Sequence, residues 1–446
     1  MVRRISRVLV VIVLVLLVGA GGWLYFVPPG LLRVGSGYTA KIVCSNVFIA
    51  HRDPQEVLSL DVQAPGNPLL RLMRVDVDRE TQHVRAGLLG QIAPSEAIYR
   101  EGTGCTLVPD GTAAIAQRQL RAPDLDVPDA LWPEGQKIES AESFAGVLSD
   151  ATLTGPGMRG VVIVHKGGIA GETYGNGFSK DTPLLGWSMT KTVNAAIIGR
   201  LLAEGRMRLD ETGLFPEWQN DGRAQISVAD LLGMESGLAF NEDYGTVADV
   251  TRMLFLEPDM ARFVASLPLE GKVGEAFKYS SGTAMLLSRI WMNHAGSQSE
   301  AIAYPRKALF KPLGMTSAVL ETDAAGTYAG SSYMYATARD WARFGLLLAQ
   351  DGVWNGERLL PEGFVAQMHE PDRSSNGRYS KMQTWIPNPR EGLPGDTFII
   401  DGHDGQKLYV VPSLDLVVLR MGLTPRPMGY QAIPLLKAVI AKLEAG

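Results

Sequence analysis

The chain of 446 residues is long enough for two or three domains, and its 46% hydrophobic and 20% charged residues are typical of a globular protein. The formal net charge of -5, without a basic stripe, gives no electrostatic basis for binding nucleic acid. The six histidines are scattered without the spacing of a zinc motif. We therefore predict no metal ion, no cofactor and no nucleic-acid partner.

The N-terminus carries the pattern of a membrane anchor. Three arginines among the first seven residues precede an uncharged, mostly apolar run from Val8 to Val27. About 20 apolar residues are enough to cross a bilayer, and the arginines favour a cytoplasmic location for their flank. We interpret residues 1–30 as an inner-membrane anchor that leaves the rest of the chain exported, in the periplasm. The small residues Gly19-Ala20-Gly21 leave an alternative open, in which a signal peptide is cleaved and the protein is secreted.

Short, strand-like patterns follow from Val34 to about Asp110 and predict a small β-rich module at residues 31–120. Apolar and polar residues alternate on both sides of Asp78-Arg79-Glu80, which predicts a hairpin. Both cysteines of the chain, Cys44 and Cys105, belong to this module. An oxidising compartment favours a disulfide between them, and two separate buried thiols are the alternative.

A proline-rich run predicts a linker at residues 121–138, and residues 139–446 form the main domain. Strand patterns occur near both ends of this domain, at residues 159–175 and 396–422, with helical patterns between them. This order indicates an α+β fold, in which both ends of the domain build one antiparallel sheet flanked by helices. The middle of the domain forms a helical subdomain, and an amphipathic helix closes the chain.

The most apolar helix of the predicted exported part begins at Ser188, which is followed three residues later by Lys191. Positions i and i+3 share a helix face, so the lysine amine reaches the serine hydroxyl. A lysine buried in an apolar helix loses affinity for its proton, and its neutral amine is able to take the proton of the serine. The alternative is structural, because a serine that begins a helix often serves only as its N-terminal cap.

Two later segments carry further candidates. Tyr279 and Ser281 precede another apolar helix and could direct a phenol and a hydroxyl to one pocket. His403-Asp404-Gly405 enters a strand, where a glycine lets a substrate lie close to the sheet edge. Each segment also has an ordinary structural interpretation. The first would be an aromatic residue before a capped helix, and the second would be a turn.

In this order, the three segments resemble the active-site motifs of the penicillin-recognising serine hydrolases. That superfamily includes class C β-lactamases, DD-peptidases, related esterases and the 6-aminohexanoate-dimer (nylon-oligomer) hydrolases. Ser188 to Lys191 matches Ser-x-x-Lys, Tyr279 to Ser281 matches Tyr-x-Asn/Ser, and His403 to Gly405 stands where many members have Lys-Thr-Gly. The likeness extends from about Ala141 to the C-terminus, is greatest for the nylon-oligomer hydrolase branch, and implies a β-lactamase/transpeptidase-like fold.

The resemblance also implies a role for each matching residue. Ser188 would be the nucleophile that forms an acyl-enzyme, Lys191 the base that activates it, and Tyr279 the group that relays a proton to the leaving group. The backbone N–H groups of Ser188 and Gln406 would form the oxyanion hole. Tyr244 matches a loop tyrosine that closes over the substrate in nylon-oligomer hydrolases, and its alternative is an exposed loop aromatic.

Two departures from the family pattern narrow the expected substrate. Ser281 replaces the asparagine of β-lactamases, and His403 replaces the lysine that helps to hold a penicillin carboxylate. Because a histidine is mostly neutral at pH 7, we expect little β-lactamase activity. We expect Ser281, His403 and Gly405 to contact instead a small substrate with an amide or ester bond.

Other functions are compatible with parts of this pattern. A DD-peptidase-like cell-wall enzyme would share the motifs, and a membrane-anchored binder of peptide or peptidoglycan would keep the pocket without turnover. A Ser-His-Asp triad lacks support, because no serine lies in a Gly-x-Ser-x-Gly elbow. The sequence predicts neither the physiological substrate nor the oligomeric state.

Overall fold

The computed structural model describes residues 11–12, 14–15, 19, 21–64, 67–109, 128–138 and 144–445. Much of the predicted membrane anchor and part of the predicted linker lie outside these residues. Within the described part of the chain, no helix is both long and apolar enough to cross a membrane. The anchor therefore stays a prediction from the sequence.

The N-terminal module begins with a long helix rather than with strands. Helix α1 (Gly30–Phe48) and the short α2 (Pro54–Val57) lead into a π-helical turn (Leu58–Gln63) and a 3-10 turn (Pro68–Leu72). The strand-like interpretation of residues 34–48 is wrong. Because α1 is buried on almost all sides, its apolar and small residues lack the one-sided pattern by which an amphipathic helix is recognised.

The second part of the module is an antiparallel sheet. Its strands are β1 (Met73–Asp78), β2 (His83–Leu88), β3 (Ile92–Arg100) and β4 (Gly104–Leu107), paired in that order. The β1–β2 hairpin turns between Asp78 and His83, at the predicted position. Helix α1 packs on the sheet, and its Cys44 forms a disulfide with Cys105 of β4.

The helices of the main domain surround its strands. The helices are α3 (Ala145–Ser149), α4 (Ala151–Thr154), α5 (Thr190–Ala203), α6 (Val228–Leu232), α7 (Asp249–Phe255), α8 (Met260–Ala265), α9 (Ser281–His294), α10 (Gln298–Pro305), α11 (Ala338–Ala349), α12 (Phe364–His369) and α13 (Ile433–Glu444). The strands are β5 (Met158–His165), β6 (Gly168–Tyr174), β7 (Leu184–Leu185), β8 (Val319–Leu320), β9 (Met334–Ala336), β10 (Val353–Trp354), β11 (Glu357–Arg358), β12 (Phe398–Gly402), β13 (Gln406–Val411) and β14 (Leu416–Gly422).

The main sheet is built from both ends of the domain, as predicted. Its strands are antiparallel in the order β12-β13-β14-β5-β6, and β14 pairs with β5 across most of the domain sequence. Alternate residues face opposite layers, since Val162 and Val164 join the core that contains α5 and α11, whereas Val161 and Ile163 pack with α13. The antiparallel α+β architecture is thereby confirmed.

Buried charges join the N-terminal module to the main domain. Lys41 of α1 forms a salt bridge with Glu321, whose Oε1 also accepts a hydrogen bond from the Cys105 N–H at 2.6 Å. Arg159 of β5 reaches Asp61 of the module, with Nη2 2.6 Å from Oδ1. An unpaired charge in such a position is strongly destabilising, so these pairs fix the module on the main domain.

Loss of the disulfide should lower the free energy of unfolding by about 4 kcal/mol, because the bond closes a loop with a sequence separation of 61 residues. Chemical denaturation of the Cys44→Ser/Cys105→Ser double variant measures this loss. A reducing agent should destabilise the wild type and leave the double variant unchanged. A loss below about 1 kcal/mol would show that the remaining contacts of α1 already hold it in place.

Candidate active site

Ser188 lies in a tight turn between a short strand and a buried helix. A 3-10 turn (Trp187–Met189) joins β7 to α5, and Trp187 has a φ of +48°, which is a strained conformation for a bulky residue. Gly186 permits the turn, since a Cβ there would lie 2.3 Å from a ring atom of Trp341. The N-terminal cap position of α5 falls on Met189. Ser188 therefore does not occupy the position that its interpretation as a structural cap requires.

The amine of Lys191 is buried and has three oxygen partners. Its Nζ lies 3.0 Å from the hydroxyls of Ser188 and Ser281 and from the carbonyl oxygen of Ser331. A carbonyl only accepts hydrogen bonds, and the Ser281 hydroxyl donates its own proton to Glu242 Oε1 at 2.5 Å. Both oxygens therefore accept from Lys191. A neutral amine uses its two N–H groups on them, which directs its lone pair to Ser188.

Burial sets the proton affinity of this amine. Lys191 is 1% exposed, and desolvation lowers the pKa of Lys191 from 10.5 to about 8, while the negative charge of Glu242 acts in the opposite direction. With this pKa, about a tenth of the molecules hold a neutral amine at pH 7, against fewer than about one in a thousand for an ordinary lysine. Lys191 is thus able to act as a general base near neutral pH.

Tyr279 lies beside the same amine. Its ring centroid is 4.9 Å from Lys191 Nζ, and the ring packs on Trp385 and Tyr379 at centroid distances of 5.4 Å and 6.0 Å. Burial raises the pKa of Tyr279 well above its ordinary value, and a hydrogen bond with Ser188 offsets part of this shift. The phenol therefore keeps its proton at neutral pH, which suits a proton relay better than a first base.

Glu242 is a site residue that the sequence analysis missed. Its Oε2 accepts the Ser281 N–H at 2.8 Å, and its Oε1 also accepts the Tyr244 hydroxyl at 3.1 Å. The carboxylate thus lies at the N-terminus of α9, where the helix dipole favours negative charge. No local feature of the sequence distinguishes Glu242 from the neighbouring Asp243. Its closeness in sequence to Tyr244, a predicted site residue, was the one available signal.

The start of β13 approaches the nucleophile turn closely. Gln406 opposes Gly402 across the β12–β13 pair. A Cβ at Gly402 would lie 2.2 Å from the carbonyl oxygen of Gly186, so glycine is required for this approach. The predicted oxyanion hole needs the N–H groups of Ser188 and Gln406 to face one point, and the approach brings these two backbone segments together.

A buried arginine supports the turn between β12 and β13. Arg420 Nη1 donates to the Gly405 carbonyl at 3.0 Å, and Nη2 donates to Thr424 Oγ1 at 2.7 Å. Above this support, the exposed His403 has its Nε2 3.3 Å from Asp404 Oδ1. Burial lowers the pKa of Arg420 to about 10, so the guanidinium remains charged at pH 7. Its hydrogen bond to the Gly405 carbonyl holds the turn in place.

Three aromatic rings lie beside the Lys191 cluster and the β12–β13 turn. Tyr244 and His403 stack at a centroid distance of 5.4 Å, and His403 meets Trp187 edge to face at 5.8 Å. The Tyr244 hydroxyl lies 3.5 Å from Ser281 Oγ, so this ring borders the Lys191 cluster. The structure brings the predicted site residues of the main domain into one region: Ser188, Lys191, Tyr244, Tyr279, Ser281, His403, Gly405 and Gln406.

The sequence profile of the β-lactamase family matches residues 150–433. The chain belongs to the β-lactamase family. It is 25% identical over 392 residues to the 6-aminohexanoate-dimer hydrolase of Paenarthrobacter ureafaciens, a match that covers 82% of this chain and 90% of that protein.

Solved structures share the fold. A candidate 6-aminohexanoate-dimer hydrolase from Bacillus anthracis is 21% identical with a TM-score of 0.58, over 72% of this chain and 89% of that chain. A penicillin-binding protein homologue from Caulobacter crescentus is 18% identical with a TM-score of 0.52, over 68% of this chain and 96% of that chain. The resemblance inferred from the motifs is confirmed, and the chain is a serine hydrolase of this family.

A Glu242→Gln substitution should lower the pKa of Lys191 further, because it removes a negative charge that favours the protonated amine. In the wild type, kcat/KM for an ester should rise with pH and level off above about pH 8, as Lys191 loses its proton. The rise should occur at lower pH in the variant. Asp243→Asn is the matched control, since it removes the neighbouring charge. A shift to higher pH, or an equal shift in the control, would contradict the assignment.

Proposed function

We propose that the protein hydrolyses an amide or ester bond of a small substrate through an acyl-enzyme on Ser188. The observation that carries the proposal is the arrangement around the Lys191 amine. Two of its oxygen partners, on Ser281 and Ser331, take its N–H groups and leave its lone pair for the Ser188 hydroxyl. The protonated amine donates its third N–H to Ser188 Oγ, and loss of that proton leaves a lone pair directed at the hydroxyl to be activated.

In the proposed reaction, Ser188 Oγ attacks the carbonyl carbon of the substrate while its proton moves to Lys191 Nζ. The N–H groups of Ser188 and Gln406 stabilise the resulting oxyanion, and each such donor contributes about 3 kcal/mol in the transition state. Tyr279 passes the proton from Lys191 to the departing amine or alcohol as the C–N or C–O bond breaks. Water then attacks the carbonyl carbon of the acyl-enzyme and gives a proton to the neutral Lys191 amine. The amine returns this proton to Ser188 Oγ as the acyl C–O bond breaks and the acid leaves.

The β12–β13 turn supports a substrate without a carboxylate at the position where many relatives bind one. His403 replaces the lysine of those relatives, and its imidazole faces the carboxylate of Asp404 at 3.3 Å. This pair offers no fixed positive charge to a penicillin. The curated relative is named for hydrolysis of a 6-aminohexanoate dimer, which supports a small amide or ester here.

We also propose that the catalytic domain is exported and that residues 1–30 anchor it to the inner membrane. The arginine-flanked apolar run supports the anchor, and the Cys44–Cys105 disulfide supports an oxidising compartment. Fractionation of cells that express the full chain tests this location. Recovery in the cytosol would contradict it.

Ser188→Ala should abolish hydrolysis of p-nitrophenyl esters and covalent labelling by a fluorophosphonate, because the nucleophile is lost. Ser413→Ala, in the exposed turn after β13, is the control and should retain both. A wild type that neither takes the label nor hydrolyses any ester or amide would overturn the proposal and favour a binding protein. Rapid turnover of benzylpenicillin would instead contradict the argument from His403.

Tyr279→Phe should reduce hydrolysis of an anilide by about 100-fold or more, because an amine leaves only after it gains a proton. The p-nitrophenyl ester of the same acid should lose much less activity, since p-nitrophenolate leaves without a proton. Paired measurements of kcat/KM on these two substrates test the relay. Equal losses for both leaving groups would assign Tyr279 to positioning alone.

A further inference from the structure

A cavity of about 420 Å³ adjoins the catalytic cluster and is shared between two parts of the chain. On one side it is lined by the rings of Trp187, Tyr244 and His403, which border the nucleophile turn and Ser281. On the other side it is lined by residues of the N-terminal module. The volume lies within the range of about 300–1,000 Å³ that small-molecule sites occupy.

The module supplies an apolar wall. Helix α1 contributes Leu31, Leu32 and Val34, and the 3-10 turn that precedes β1 contributes Leu69 and Leu70. Leu31 and Leu69 are 37% and 40% exposed, so the described part of the chain leaves apolar surface of this wall open to water. An apolar group that covered the wall would be favoured by the hydrophobic effect.

The distribution of charge in the cavity is one-sided. Among the described residues that line it, those from the module are uncharged, whereas Asp404 and Arg426 belong to the main domain. The catalytic side therefore offers polar and charged groups to a scissile bond, and the module side offers, apart from Asn67 and Tyr38, a surface suited to carbon chains. A fully polar substrate would leave the leucines of the module wall without an apolar partner.

Close backbone contacts fix the wall relative to the catalytic side. A Cβ at Gly37 of α1 would lie 2.9 Å from the carbonyl oxygen of Phe255 in α7, so the backbones of these two helices lie directly against each other. The Tyr38 ring also meets the Phe255 ring edge to face at 5.7 Å. These contacts hold the apolar wall in a fixed position relative to the catalytic side of the cavity.

We propose that the N-terminal module determines substrate specificity, and that the hydrolysed ester or amide carries an apolar chain which lies against Leu31, Leu69 and their neighbours. The inference rests on the proposed hydrolase function and names its substrate class. It also gives the module a role, which the sequence alone does not reveal.

A series of p-nitrophenyl esters with lengthening straight acyl chains tests the proposal, together with N-alkyl amides of lengthening amine chains. In at least one series, kcat/KM should rise about fourfold for each added methylene until the cavity is full, which is the factor expected for complete burial of a methylene. Substrates are kept below the concentration at which they form micelles.

The double variant Leu31→Gln/Leu69→Gln tests the location of the chain. It should lower kcat/KM for the longest substrate of the rising series at least tenfold and leave the acetyl ester within twofold of wild type. Leu60→Gln is the matched control, because Leu60 is a 48% exposed leucine of the same module that does not line the cavity.

The outcomes separate this inference from the function on which it rests. A flat dependence on chain length in both series, with short esters hydrolysed, would overturn the specificity role and leave the hydrolase proposal standing. A rising dependence that the double variant does not change would also overturn it, since the chain would then bind elsewhere. Absence of any hydrolysis would overturn the hydrolase proposal itself.

Discussion

Exclusion of water from Lys191 is the constraint on which the rest of the site depends. Helix α5 must be apolar on almost every side to lower the proton affinity of this amine. The same burial requires an acceptor for each N–H, and the Ser281 hydroxyl and the Ser331 carbonyl provide the two that the neutral amine needs. Glu242 orients the Ser281 hydroxyl, and its negative charge partly offsets the lowering of the Lys191 pKa. Once the amine has lost its proton, its lone pair faces the Ser188 hydroxyl.

The N-terminal module is part of this arrangement and not a separate appendage. The Lys41–Glu321 pair is almost fully buried, and breaking it would leave a charge without a partner inside the protein. The disulfide from α1 to β4 lies next to this pair, because the N–H of Cys105 also donates to Glu321. The same helix whose buried side carries these contacts contributes Leu31 and Leu32 to the cavity, so stability and the shape of the site are coupled through α1.

The parts of the site that were predictable from the sequence occupy short stretches of the chain. Ser188 and Lys191 are one helical turn apart, and the paired strands at both ends of the domain are short apolar runs bounded by turn residues. Glu242 and the Ser331 carbonyl act through contacts that span 39 and 140 residues, so no local pattern marks them. The sequence of helix α1 predicts strands, because burial on almost all sides removes its helical periodicity. The cavity wall depends on how the module docks, which local sequence does not specify.

The central claim is that burial makes Lys191 a base near neutral pH. The most direct measurement is an NMR titration of isotope-labelled lysine side chains, with the Lys191 signal assigned by its loss in a Lys191→Met variant. We predict that this amine titrates with a pKa near 8, well below the ordinary lysine value of about 10.4. Titration together with the exposed lysines, at an ordinary pKa of about 10.4, would contradict the account.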